Sequence, residues 1–134
     1  MKKSRFQFSN PVLKQSAFEI SEAFINSYSK DSSKKLTIPI DTEVQQGNIE
    51  NNSCSIEIIL SVGKRNQEDV PFFASVTMMA DFKWDEDMSS DEIERFLSIN
   101  APAHLVSYAR PIISFLTSMS PLPTYHMPFL NLNE

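Results

Sequence analysis

Residues 100–134 constrain the fold more than any other stretch, because a helix that is apolar on several sides is followed by an apolar, proline-rich tail. Asn100 can cap the start of this helix, and Pro102 fits its first turn. One stripe at helical spacing consists of Leu105, Tyr108, Ala109, Ile112, Ile113 and Leu116. The apolar residues off that stripe are Val106, Phe115 and Met119. Such a helix needs cover on more than one side.

Prolines divide this stretch. Pro111 inside the helix predicts a kink, because proline lacks the N–H that the preceding turn needs. Three further prolines end the helix and predict an extended tail over 120–134; they are Pro121, Pro123 and Pro128.

Upstream, apolar and polar residues alternate in four segments, which is typical of half-buried strands. The segments span 4–24, 36–46, 53–62 and 70–84. Asn10-Pro11 interrupts the first segment, and Pro39 indicates that the second segment is an edge strand or an irregular one. Polar connections follow at 26–35, 46–52 and 63–69. These lengths predict an antiparallel meander with one apolar face.

Helices come only after the strands. Ser89 and Glu92 are spaced as a capping box before a short helix, and the long helix follows. We therefore expect one α+β domain over 1–134, a four-stranded antiparallel meander sheet covered on one face by a short and a long C-terminal helix. Strands are expected within 4–84, helices within 89–119, and the tail over 120–134.

Composition narrows the function. The net charge of −5 argues against a nucleic-acid partner. No apolar run reaches the ~20 residues of a membrane span, so no membrane insertion is expected. Cys54 is the only cysteine, and it lies on the apolar face of a strand, where a buried inert thiol is usual. A reducing cytoplasm is the expected location.

Signals of catalysis or cofactor binding are missing from the sequence, so no enzyme and no cofactor is expected. The acidic run 85–92 fails as a calcium loop, because Ser90 stands where glycine is needed and Phe96 where glutamate is needed. His104 and His126 form no metal-binding pair. Gly47 and Gly63 are the only glycines, too few for a phosphate-binding loop.

The C-terminal stretch resembles the SecB protein-export chaperone family. The resemblance rests on Pro102, Leu105, Tyr108-Ala109-Arg110 and Ile113, followed by Leu122-Pro123 and Pro128. Compatible strand positions are Phe18-Glu19, the run from Ile56, and Phe72 to Val76. It implies a helix-covered antiparallel sheet that assembles as a homotetramer, a dimer of dimers. It also implies an ATP-independent holdase that binds unfolded or presecretory polypeptides in apolar grooves, of the protein-export or dedicated-client type.

Adaptable apolar side chains are the expected client-binding residues, since methionine and aromatic side chains repack around varied partners. They are Phe72, Phe73, Met78, Met79, Leu116, Met119, Leu122, Tyr125, Met127 and Phe129. Core or subunit interface is the alternative interpretation for each of them.

Three departures from the family pattern bear on the partners. The family's second helix and its acidic C-terminal extension are expected to be missing. The family docks on the translocase motor through acidic residues whose matching positions are Gln15, Glu19 and Ser75. Glu19 alone keeps a charge and is the expected partner-docking residue, which weakens the case for motor docking.

Two other functions fit the same sequence. The fold could serve as a non-catalytic interaction module that binds one specific folded partner. It could also carry a small apolar ligand between sheet and helix.

Overall fold

The computed structural model describes residues 1–27 and 36–132, so most of the predicted loop 26–35 lies outside the described residues. Within those ranges the strands are β1 (Phe6–Phe8), β2 (Val12–Ile20), β3 (Ile40–Gln46), β4 (Ser53–Gly63) and β5 (Phe72–Trp84). The α-helices there are α1 (Glu22–Ser27), α2 (Ser90–Arg95) and α3 (Ala101–Ser118). A π-helical turn, Phe96–Asn100, joins α2 to α3.

All strand pairs of the sheet are antiparallel, and its order differs from a simple meander. β3, β4 and β5 follow one another, but β1 and β2 both pair with the far side of β5. The α+β class, the antiparallel sheet and the long C-terminal helix are confirmed, whereas the meander connectivity is wrong. The first strand returns beside the last as in a Greek key. Alternation shows that a strand has one buried face, but it does not select the strand's neighbour.

The core lies between one sheet face and α3. Every second residue of β4 and β5 is buried, from Cys54 to Val62 and from Phe72 to Trp84. Leu105, Ala109 and Ile113 of α3 pack onto this face and are fully buried. Because neighbouring residues of a strand point to opposite faces, the alternating pattern places half of each strand against the helix.

The N-terminal segment was only partly predicted. The break between β1 and β2 lies at residues 9–11, as Asn10-Pro11 indicated, but 22–27 form α1 instead of strand and loop. Ser21 caps α1, since its Oγ accepts from the Phe24 N–H at 3.3 Å and donates to the Gln67 carbonyl at 2.5 Å. β3 begins at Ile40 and not at residue 36.

The helix starts were half right. The capping box is confirmed, with Ser89 Oγ accepting from Glu92 N–H at 3.2 Å and Glu92 accepting from Ser89 N–H at 3.4 Å. Asn100 is not a cap; it has helical φ −72° and ψ −42° and makes no side-chain cap bond. The preceding π-helical turn already supplies acceptors to the first amides of α3, so no cap is needed there. Pro111 lies inside α3, and its kink stays a prediction.

Candidate functional site

Residues 120–132 of the tail run back along α3 in the opposite direction, as an extended chain. Tyr125 N–H donates to Thr117 Oγ1 at 2.9 Å, and Ser114 Oγ donates to the Tyr125 carbonyl at 3.3 Å. Arg110 Nη2 donates to the Met127 carbonyl at 2.7 Å. Arg110, Ser114 and Thr117 lie three and four residues apart, on one side of the helix, and form the tail-binding face of α3. This face holds a polypeptide through its main chain.

Alternate side chains of the tail point inward. Met127 is 3% exposed and belongs to the core. Tyr125 packs with its ring centroid 5.8 Å from that of Phe72, and burial raises the pKa of its hydroxyl. His126, between Tyr125 and Met127, and Pro128, directly after Met127, are exposed. The tail therefore fills apolar sites with every second side chain, as a strand does.

Beyond Met127 the tail lines an opening at the sheet edge, where Leu130 and Leu132 still pack against the core. The Arg110 guanidinium lies 4.5 Å from the ring centroid of Phe129, which is 91% exposed. Leu130 and Leu132 then line a cavity of about 340 Å³ together with β3 and the start of α3. The cavity shows that the far end of the tail does not fill the space between β3 and the helix.

A larger, open cavity of about 760 Å³ lies where α3 ends, and Glu22 and Asn26 line it together with apolar side chains. Its apolar lining comes from β2, α1 and the helix end, namely Phe18, Ile20, Ile25, Met119 and Pro121. Met119 is 72% exposed at its rim. Apolar side chains around an open cavity are a place where a ligand segment can bury apolar surface. We call it the α1 cavity.

The structure divides the predicted client-binding residues among three environments. Phe72, Met78 and Met127 are buried in the core. Phe73 and Met79 lie on the opposite sheet face from Phe72 and Met78, because neighbours on a strand alternate. The half-buried members are Phe73, Met79, Leu116, Leu122 and Tyr125, and the exposed ones are Met119 and Phe129. Phe72, Tyr125 and Met127 come together, but the ten residues do not form one groove.

Of the apolar residues that line the α1 cavity, the sequence prediction included Met119 and missed those from β2 and α1. Phe18, Ile20 and Ile25 line it, and the sequence assigned this region to a strand and a loop. The available signal was Ser21, a good capping residue directly before a short apolar run. A helix of six residues gives too little periodicity to be recognised from that signal alone.

Glu19, the predicted partner-docking residue, is exposed but paired within its own chain. It forms an ion pair with Arg65, whose guanidinium lies 4.2 Å from the ring centroid of Phe73. Lys14 and Glu57 form a second pair on this sheet face at 2.7 Å. These acidic side chains thus face a cation of the same molecule, which lowers the negative potential offered to a partner.

A second exposed apolar surface, the apolar patch, consists of Phe8, Tyr108 and Phe115. Phe8 contacts Tyr108 across a centroid distance of 6.4 Å, and Phe115 follows Tyr108 two helical turns later with 64% exposure. His104 lies beneath, 4.0 Å from Phe8 and 5.1 Å from Tyr108 between ring centroids. Burial lowers the pKa of His104, and its Nε2 has no hydrogen-bond partner within the described structure.

Reactive and metal-binding groups are not assembled in the described ranges. No group of three or more histidine, cysteine, aspartate or glutamate side chains there could hold a metal ion. Cys54 is buried, desolvation raises its pKa, and its thiol lies 3.3 Å from the Gly47 carbonyl. In the acidic run, Asp85 and Asp87 pair with Arg5 at 3.7 and 2.7 Å. None of the helices described is long and apolar enough to cross a membrane.

Comparison with known proteins agrees with this architecture. The family model described as preprotein translocase subunit SecB matches residues 1–134. The chain belongs to the SecB family.

Two further similarities extend over most of the chain. An uncharacterised protein of Methanocaldococcus jannaschii is 29% identical over 130 residues, which cover 96% of this chain and 81% of that protein. Among solved structures, the SecB-like chaperone of Mycobacterium tuberculosis, in complex with a ChAD peptide from the HigA1 antitoxin, matches with a TM-score of 0.66. It is 16% identical, and the match covers 95% of this chain and 88% of that one. At this identity the likeness concerns the fold.

Proposed function

We propose that this SecB-family protein is an ATP-independent holdase that binds non-native polypeptides through exposed apolar surface. Membership of the family and the peptide-bound chaperone of the same fold support the proposal. The observation that carries it is the α1 cavity, because Met119 at its rim is 72% exposed and Phe18, Ile20 and Ile25 line its interior. A folded chain that leaves such surface in water has a ready place for an unfolded one.

Burial of apolar client side chains supplies the driving force, at about 25 cal/mol per Å² removed from water. The ordering of the client's backbone and side chains offsets part of this gain. Binding of this kind needs no catalytic group and no nucleotide. In this proposal the client contacts accessible members of the predicted client-binding set, namely Met119, Leu116 and Leu122. Phe72, Met78 and Met127 of the same set contribute to the core.

Self-association forms part of the proposal. The apolar patch of Phe8, Tyr108 and Phe115 is exposed, and a second copy of the chain would cover it. Aromatic side chains are enriched in such interfaces. A homotetramer, the assembly that the family resemblance implies, would bury two such patches in each contact around a twofold axis.

The proposal includes presecretory clients and a cytoplasmic location, which family membership and the single free cysteine support. Docking on the translocase motor has weaker support. Gln15 and Ser75 are uncharged, and Glu19 is paired with Arg65. In this proposal the protein passes on a bound client by releasing it, without docking on the translocase motor through an acidic face.

The test is suppression of aggregation without nucleotide. A chemically denatured, aggregation-prone enzyme is diluted into buffer containing the protein, and light scattering is followed. We expect suppression at stoichiometric amounts, weakened by Met119→Asp at the cavity rim and retained in Ala103→Asp, an exposed position elsewhere on α3. No suppression by the wild type at a stoichiometric amount would contradict the proposal.

A further inference from the structure

The tail-binding face of α3 holds its own chain in a way that does not depend on the tail's sequence. Thr117, Ser114 and Arg110 contact the N–H and carbonyl of Tyr125 and the carbonyl of Met127. These three groups are main-chain atoms, which every polypeptide possesses except for the N–H that proline lacks. Main-chain contacts combined with sites for alternate side chains are a general mode of binding extended peptides.

We infer that residues 120–132 occupy a second polypeptide-binding site, along Arg110, Ser114 and Thr117, and that an extended client segment replaces them there. This inference rests on the proposed client-binding function and adds a site to it. The ligand class is an extended, non-proline-interrupted segment with an apolar side chain at the Met127 position and an aromatic or large apolar one two residues before it.

The geometry defines what the client has to match. The Met127 side chain is 3% exposed and sits in the core, and the Tyr125 ring packs against Phe72 at 5.8 Å. Phe129, two residues further on, is 91% exposed and leaves this line of inward-pointing side chains. The site therefore contacts two inward-pointing side chains of the bound segment and the main chain between them.

Continuity with the α1 cavity supports exchange. Pro121 of the tail lines that cavity beside Met119, so a client bound in the cavity reaches the first residues of the tail. A client segment that extends from the cavity along α3 meets the tail's position directly. The tail competes with the client as an intramolecular ligand. The client's apparent association constant at this site is therefore the intrinsic constant multiplied by the fraction of molecules whose tail is displaced.

A reversible crosslink tests the inference on the full chain. Ser114 Oγ and His126 Nδ1 lie 3.5 Å apart, so Ser114→Cys with His126→Cys places two thiols on side chains that face each other across the contact between the tail and α3. The disulfide between them is verified by mass spectrometry of the oxidised protein before binding is measured. The probe is a fluorescently labelled, permanently unfolded protein, and anisotropy gives its dissociation constant with and without reductant. We expect the oxidised form to bind about tenfold more weakly than the same protein after reduction. Ser114→Cys alone is the matched control and shows no change on oxidation.

A perturbation of opposite sign completes the test. Met127→Ala loosens the tail, so client binding is expected to tighten by about tenfold, and Ala103→Asp at an exposed position of α3 is expected to leave it unchanged. Equal client affinity in the locked, unlocked and Met127→Ala proteins would overturn the inference while leaving the proposed function standing. If no form binds the unfolded probe, the proposed function and the inference both fail.

Discussion

Met127→Ala tests whether the tail is an integral part of the fold. The side chain is 3% exposed and packs in the core, and the carbonyl of the same residue accepts from Arg110 at 2.7 Å. Truncation of a buried methionine to alanine typically lowers the free energy of unfolding by about 2–5 kcal/mol, because contacts are lost and a cavity remains. If the tail releases instead of leaving a cavity, the loss is limited to the free energy that holds the tail. We therefore expect a loss of unfolding free energy at the lower end of this range, about 2 kcal/mol.

Phe129→Ala is the matched control in the same segment. Its ring is 91% exposed, and the Arg110 guanidinium lies 4.5 Å from the ring centroid. An exposed cation–π contact contributes about 0.5–1 kcal/mol, so this larger truncation is expected to cost less than the methionine one. The two substitutions lie two residues apart and differ mainly in burial.

Urea unfolding followed by circular dichroism measures both variants, at one protein concentration because self-association changes apparent stability. Hydrogen exchange of the Tyr125 amide, which donates to Thr117 at 2.9 Å, reports on the tail alone. We expect that amide to be protected in the wild type and in Phe129→Ala, and to exchange faster in Met127→Ala. Equal, small losses of unfolding free energy in both variants, with an unprotected Tyr125 amide in the wild type, would refute the account of the tail.

Other perturbations test separate parts of the account. Gly63 has φ +82° and a Cβ there would meet the Phe72 carbonyl oxygen at 1.9 Å, so Gly63→Ala should cost about 2 kcal/mol or more in urea unfolding. Gly47→Ala, whose nearest contact would be 3.4 Å, should cost far less, and equal losses would contradict the clash. Phe115→Glu in the apolar patch should lower the solution mass by light scattering, whereas Ala103→Glu should not; an unchanged mass in both removes the patch from assembly. Burial holds the pKa of His104 below its ordinary 6.5, so the unfolded state binds the proton more readily and stability should fall as pH drops below that value. His104→Phe should flatten this pH dependence, and an identical slope in both proteins would exclude His104 as its source.

The elements with the strongest alternation were predictable. β4 and β5 lie within two residues of their predicted bounds, because burial of one face of a central strand forces a strict pattern. The capping box of Ser89 and Glu92 was predictable for the same reason, since its hydrogen bonds are local. The extended tail followed from proline spacing alone.

What depended on distant partners was not predictable. The pairing of β1 and β2 with β5 joins residues more than fifty positions apart, which local patterns do not encode. The ion pair of Glu19 with Arg65 depends on that same register. No pattern in the sequence predicts that Arg110, Ser114 and Thr117 contact the tail, because only the returning chain makes them a tail-binding face.

The central claim is that this protein distinguishes an unfolded chain from a folded one. The direct measurement uses one client protein in two states, permanently unfolded and native. Each state is fluorescently labelled and titrated with the SecB-family protein without nucleotide while anisotropy is recorded. We predict saturable binding of the unfolded form and none of the native form. Absence of binding to the unfolded form, or equal binding of both forms, would contradict the account.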